Sequence, residues 1–117
     1  MPRLSAAWLC GVAGLCCAAL PAAGADRFFL YNLTTSTTFT GVYLAPAGTD
    51  RWGSNQALND KDKVLDPSER LAIKDIARGQ FDAKLVDKSG RTCIRRGVDL
   101  RQDTTFDIRD GDLTDCR

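Results

Sequence analysis

The sequence predicts an all-β domain, a small antiparallel sandwich or barrel of about six short strands. Strand-forming runs recur along the chain and are separated by turn residues at intervals of roughly 8–12 residues. After residue 25, no segment carries the apolar stripe of an amphipathic helix. The acidic residues are aspartates with the single exception of Glu69, a bias that suits turns better than helix faces.

The first two predicted strands are residues 28–33 and 39–44, because both runs are rich in aromatic and β-branched side chains. The polar run 34–38 between them is predicted as a turn, so the two strands are expected to form a hairpin. Residues 46–63 are predicted as a long loop, since Gly, Pro, Asn and Asp are frequent there.

Residues 71–76 and 80–87 are the third and fourth predicted strands. The fourth is clear, because Phe81, Ala83 and Leu85 fall on one face and Asp82 and Lys84 on the other. Residues 88–90 predict a tight turn in which Gly90 supplies the positive φ.

Residues 91–98 predict the fifth strand and residues 104–109 the last one. In the fifth strand, Ile94 and Val98 fall on the same face as Arg96, so we expect a β-bulge. A basic run interleaved with aspartates here is expected to guard an edge strand against aggregation. Its members are Arg91, Arg95, Arg96 and Arg101.

Residues 1–25 predict a secretory signal peptide. Arg3 gives a positive start, a charge-free apolar run follows, and Ala23-Gly-Ala25 fits the cleavage pattern, so cleavage is expected after Ala25. A transmembrane anchor is the alternative, but the apolar run is short for a span and contains two glycines. Residues 26–117 are then one exported domain, periplasmic or fully secreted.

Two of the five cysteines, Cys93 and Cys116, lie in the predicted mature chain. An even number of cysteines in an oxidising compartment usually pairs, so a structural disulfide is expected. The C-x-x-C spacing of a redox site is absent. None of the other three cysteines follows the Leu-small-small triplet of a lipoprotein signal, so no lipid anchor is expected.

Composition excludes several kinds of function. The chain has no histidine, which excludes Ser-His-Asp and Cys-His catalytic sites and histidine metal ligands. After residue 25 acidic and basic residues are equal in number, which argues against a nucleic-acid partner and a polybasic membrane surface. A hydrolase with paired carboxylates would need a pocket above about 300 Å³ lined by convergent carboxylates, and we expect none.

The best candidate binding residues are Trp52, Asn55 and Gln56 in the long loop. An indole beside amides can recognise a glycan or a protein surface by stacking and hydrogen bonding. The alternative is that Trp52 folds back and caps one end of the core.

Four aspartates near the C-terminus are weak candidates for a calcium site, since carboxylate oxygens are hard ligands. They are Asp107, Asp110, Asp112 and Asp115. The EF-hand spacing is absent, and a charged surface turn paired with nearby arginines explains them as well. We therefore predict no metal and no cofactor. Asn32-Leu-Thr34 matches a glycosylation sequon but is interpreted as turn-forming.

Two local patterns resemble bacterial immunoglobulin-like sandwiches. Residues 65–71 are similar to the "leucine, Pro-Gly-Glu, apolar strand" turn, with Ser68 in place of the usual glycine. Residues 76–82 are similar to the Gly-x-aromatic entry into the following strand. This resemblance implies an immunoglobulin-like β-sandwich.

A wider resemblance covers nearly the whole mature chain, to a family of small exported bacterial proteins of uncharacterised function. It rests on the order of Asn32-x-Thr34, Tyr43-Leu44-x-Pro46, Trp52-Gly53, Leu65-x-Pro67-x-Glu69, and Cys93 followed by Asp99-Leu100. It implies export and a sandwich-like fold, and it carries no catalytic residue across. We predict a non-enzymatic binding or accessory protein of the cell envelope with a protein or glycan partner. The alternative is a small secreted inhibitor or effector.

Overall fold

The computed structural model describes residues 27–117, and the predicted signal peptide with its three cysteines lies outside that range. Within it the chain forms six strands and two short 3₁₀ helices, so the all-β prediction is confirmed. The strands are β1 (Phe28–Asn32), β2 (Phe39–Pro46), β3 (Arg70–Ile73), β4 (Gln80–Asp87), β5 (Thr92–Asp99) and β6 (Thr105–Ile108). The helices span Gln56–Asn59 and Asp110–Asp112.

The strands form two three-stranded sheets, with orders β3-β1-β6 in the first sheet and β2-β4-β5 in the second. The predicted hairpin of β1 and β2 is therefore wrong, because these strands belong to different sheets. The buried side chain of Asn32 accounts for the crossover. Its amide donates to the carbonyls of Thr37 (2.8 Å) and Leu65 (3.1 Å), and its oxygen accepts the N–H of Thr34 (3.0 Å). These bonds hold a turn that carries the chain out of the first sheet.

The first sheet also departs from a purely antiparallel arrangement. β1 pairs antiparallel with β3 but parallel with β6, where Leu30 lies opposite Phe106. Both pairings of the second sheet are antiparallel. A parallel neighbour cannot be joined by a tight turn, and here β1 and β6 come from opposite ends of the described chain.

The two sheets share one hydrophobic core. Inward residues of both sheets are almost fully buried, among them Leu30, Val42, Leu71, Leu85 and Ile108. The alternation predicted for β4 is confirmed for Ala83 and Leu85, which face this core. Asp82, predicted on the polar face, is buried as well, because its carboxylate accepts the N–H groups of Gly48 (2.9 Å) and Gly97 (3.2 Å). Burial of such side chains provides the main favourable free energy of folding.

The hairpin of β4 and β5 contains both local features expected from the sequence. Gly90 adopts a positive φ of 90° in the turn. Phe81 pairs with Val98 but Ala83 pairs with Arg95, so one more residue is present on β5. Gly97, with φ 73°, lies in this bulge.

The predicted disulfide is present between Cys93 and Cys116. The C-terminal residues run beside the start of β5, where Thr92 and Arg117 exchange two backbone hydrogen bonds of 2.8 Å each. The disulfide therefore joins the edge of the second sheet to the C-terminal residues.

Candidate functional site

Asn55 and Gln56, two of the predicted binding residues, use their side chains to cover strand edges. The Asn55 oxygen accepts the N–H of Val42 (2.9 Å), and its amide donates to the carbonyl of Thr40 (3.0 Å), both on β2. Gln56 accepts the N–H of Lys74 (2.9 Å) and donates to the Lys74 carbonyl (2.8 Å). β2 and β3 are edge strands of different sheets. The loop thus satisfies backbone groups that an uncovered edge would expose.

Trp52 lies outside the hydrophobic core cluster and the residues packed against it. Its ring contacts the Lys84 ammonium, which lies 5.0 Å from the indole centroid and 4.9 Å from the ring centroid of Tyr43. Tyr43 and Lys84 are direct neighbours on β2 and β4. We call Tyr43, Trp52 and Lys84 the aromatic face. It occupies the outer surface of the second sheet.

Glycines and backbone bonds explain how the aromatic face is built. A side chain on Gly41 would meet the Tyr43 ring at 2.9 Å, so the absence of one lets this ring lie against the sheet. The N–H of Gly53 donates to the carbonyl of Leu44 (2.9 Å), which attaches the Trp52 loop to β2. Tyr43 and Lys84 therefore lie on the paired strands β2 and β4, and Trp52 lies in a loop that is hydrogen-bonded to β2.

The aromatic face offers groups suited to stacking and cation–π contacts. Two half-buried rings offer flat apolar surfaces, and the ammonium between them is ordered by cation–π attraction. Tyr43 and Lys84 were not among the residues selected from the sequence. Their outward positions in two alternating strands are the signal that could have identified them.

Three of the four candidate calcium ligands use their carboxylates in ion pairs or hydrogen bonds with different residues. Asp107 pairs with Arg109 (3.3 Å) and Asp112 with Arg95 (3.5 Å), while both carboxylate oxygens of Asp110 accept hydrogen bonds from Thr35. Asp115 lies beside β5, where its carbonyl accepts the N–H of Ile94. In residues 27–117 no three or more Cys, Asp or Glu side chains are arranged so that they could hold one metal ion.

A groove of about 400 Å³ lies between β5 and β6 and exceeds the size that a carboxylate hydrolase would need. Four aspartates line it: Asp99, Asp103, Asp107 and Asp112. Hydrogen bonds from the Arg101 side chain lower the pKa of Asp99 to about 2. A general acid must be protonated near neutral pH, so Asp99 cannot serve as one. Asp107 and Asp112 are engaged by arginines as described above.

No family model, no curated protein and no solved structure significantly matches the chain. Among the helices of the described part of the chain, none is both long and apolar enough to cross a membrane.

Proposed function

We propose that this protein is an exported, non-enzymatic binding domain of the cell envelope and that the aromatic face is its recognition surface. The observation that carries the proposal is the position of Trp52. Its indole shares the Lys84 ammonium with Tyr43 outside the core, where it is free to contribute to a partner contact. Tryptophan and tyrosine are enriched at binding hot spots.

Export is supported by the predicted signal peptide and by the disulfide, which is typical of proteins that fold outside the cytoplasm. A non-enzymatic role is supported by the absence of histidine, which excludes the catalytic sites that depend on an imidazole. We also propose that the two sheets form a β-sandwich of the immunoglobulin-like class. The core shared by the two sheets supports this, whereas the disulfide joins β5 to the C-terminal residues and the parallel pair β1–β6 departs from the antiparallel pattern.

The alternative function, a small secreted inhibitor or effector, draws less support from the fold. Such a protein presents a loop stiffened by its disulfide to the cleft of a target. Here the disulfide attaches the C-terminal residues to β5, and the Trp52 loop is held by hydrogen bonds instead.

The test is co-purification of partners from the native envelope with the intact protein and with Trp52→Ala. We expect the variant to lose its partner while its melting temperature stays close to that of the parent. Leu58→Ala is the control, since Leu58 is 56% exposed in the neighbouring 3₁₀ helix. A destabilisation of about 3 kcal/mol or more would show that Trp52 is a core residue and overturn the proposal.

A further inference from the structure

A second surface lies on the other sheet and is distinct from the aromatic face. A groove of about 500 Å³ runs along the outer surface of β1 and β3. We call it the cationic groove and define it by Arg27, Phe29, Arg70 and Lys74, which line it. The floor between the cations is apolar, because Phe29 lies directly opposite Ala72.

Three cations and one carboxylate line this groove, whereas the arginines between Arg91 and Arg109 are paired with aspartates. The ion pairs within residues 27–117 all use arginines between Arg91 and Arg109. Arg27, Arg70 and Lys74 enter none of these pairs. Asp75 is the only carboxylate lining the described groove. The groove therefore carries a local excess of positive charge, although acidic and basic residues are equal in number after residue 25.

Strand geometry places the three cations at two positions along the groove, Arg27 with Lys74 at one and Arg70 at the other. Arg27 precedes Phe28 and Lys74 follows Ile73, so continuing the antiparallel register past the pair Phe28–Ile73 brings Arg27 and Lys74 opposite each other. Like charges that face each other in a sheet repel, and an anion between them relieves the repulsion. Arg70 lies four residues from Lys74 on the same face, a distance of roughly 13 Å along the strand.

The Arg70 guanidinium is fixed by Phe29, whose ring centroid is 4.3 Å away. Cation–π contact orders the side chain before any ligand arrives, so less conformational entropy is lost on binding. A positioned guanidinium can also bind a carboxylate through two hydrogen bonds.

We propose that the cationic groove binds an acidic oligosaccharide, a sugar chain with carboxylates at regular intervals. Two cationic points about 13 Å apart fit a ligand with repeated anionic groups better than one with a single anion. The apolar floor suits the faces of sugar rings between those groups. The cations line a concave strand face rather than a protruding loop, which favours a chain in the groove over a flat membrane.

The test is affinity electrophoresis of the purified protein in native gels containing polygalacturonate. We expect retardation that falls as salt is raised, and little retardation by the neutral polymer dextran. Arg70→Gln with Lys74→Gln should weaken binding about tenfold. The control is Lys61→Gln with Lys63→Gln, which makes the same charge change in an exposed loop and should leave the retardation unchanged.

Several outcomes would overturn the proposal: no retardation by polygalacturonate, equal loss in both double variants, or binding to vesicles of phosphatidylglycerol in the absence of polysaccharide binding. Circular dichroism of each variant confirms that it is folded, since both pairs are exposed. Trp52→Ala leaves the cationic groove intact, so the result is independent of the fate of the aromatic face.

Discussion

The side chain of Gln56 makes the two hydrogen bonds to the backbone of Lys74 that a neighbouring strand would make. One side-chain amide accepts the N–H of Lys74 at 2.9 Å and donates to its carbonyl at 2.8 Å. Gln56 is itself buried, and Asn59 donates to its side-chain oxygen at 2.7 Å. The edge of β3 is thus closed by a side chain that is 18 residues away along the chain.

Gln56→Ala is expected to destabilise the protein by about 2–3 kcal/mol, because two backbone groups of Lys74 lose their partners. Urea denaturation followed by fluorescence measures the change. Gln102→Ala is the matched control, since Gln102 is exposed, and its effect should stay within about 0.5 kcal/mol. Equal stability of the two variants would show that water replaces the bonds at β3.

Replacing Cys93 and Cys116 together by alanine is expected to lower the free energy of unfolding by roughly 3 kcal/mol, because the bridge closes a long loop in the unfolded chain. The two residues are 23 positions apart. Reduction of the parent with dithiothreitol should produce a similar loss, measured by the same urea titration. A free thiol on Cys93 in protein recovered from the oxidising compartment would contradict the pairing.

Ser68→Gly is expected to stabilise the protein by up to about 1 kcal/mol, because Ser68 adopts a positive φ of 71° that glycine tolerates without strain. Thermal melts provide the measurement. Ser89→Gly is the comparison. The Ser89 hydroxyl donates to Asp87 (2.6 Å), so this second variant should be destabilised. A loss of stability in Ser68→Gly would rule out backbone strain at this position.

Acid is expected to loosen the contact between Asp110 and Thr35. Hydrogen bonds from the Thr35 hydroxyl and N–H hold the pKa of Asp110 below its ordinary value of 3.8. The stabilisation is therefore fully present above about pH 4 and is lost as the pH falls through the lowered pKa. Carboxyl NMR titration should show that Thr35→Val returns the pKa of Asp110 towards 3.8. Asp103→Asn should leave it unchanged, and an unaltered titration in Thr35→Val would refute the assignment.

Local patterns predicted the strands but not their partners. The apolar face of β4 and the bulge near Arg96 both depend on neighbours in sequence, and both were confirmed. The separation of β1 from β2 depends on a hydrogen bond from Asn32 to Leu65, 33 residues away, which leaves no periodic signal.

The site shows the same limit of sequence reasoning. Trp52 lies on an outer surface, but Asn55 and Gln56 use their amides within the protein. In the sequence, an amide that binds a partner cannot be distinguished from an amide that bonds a distant strand of the same protein. The cationic groove could not be predicted for a related reason. The net charge of a chain gives no information on where its charged side chains lie in the fold.

The parallel pairing of β1 with β6 has a consequence for the order of events during synthesis. β1 is the central strand of its sheet, yet β6 begins at Thr105, close to the end of the chain. The disulfide likewise requires Cys116, which follows β6. The first sheet and the covalent link can therefore be completed only after the segment from β1 to Cys116 has been synthesised, and native contacts far apart in sequence form slowly. We expect β1 to gain its second neighbour late in folding.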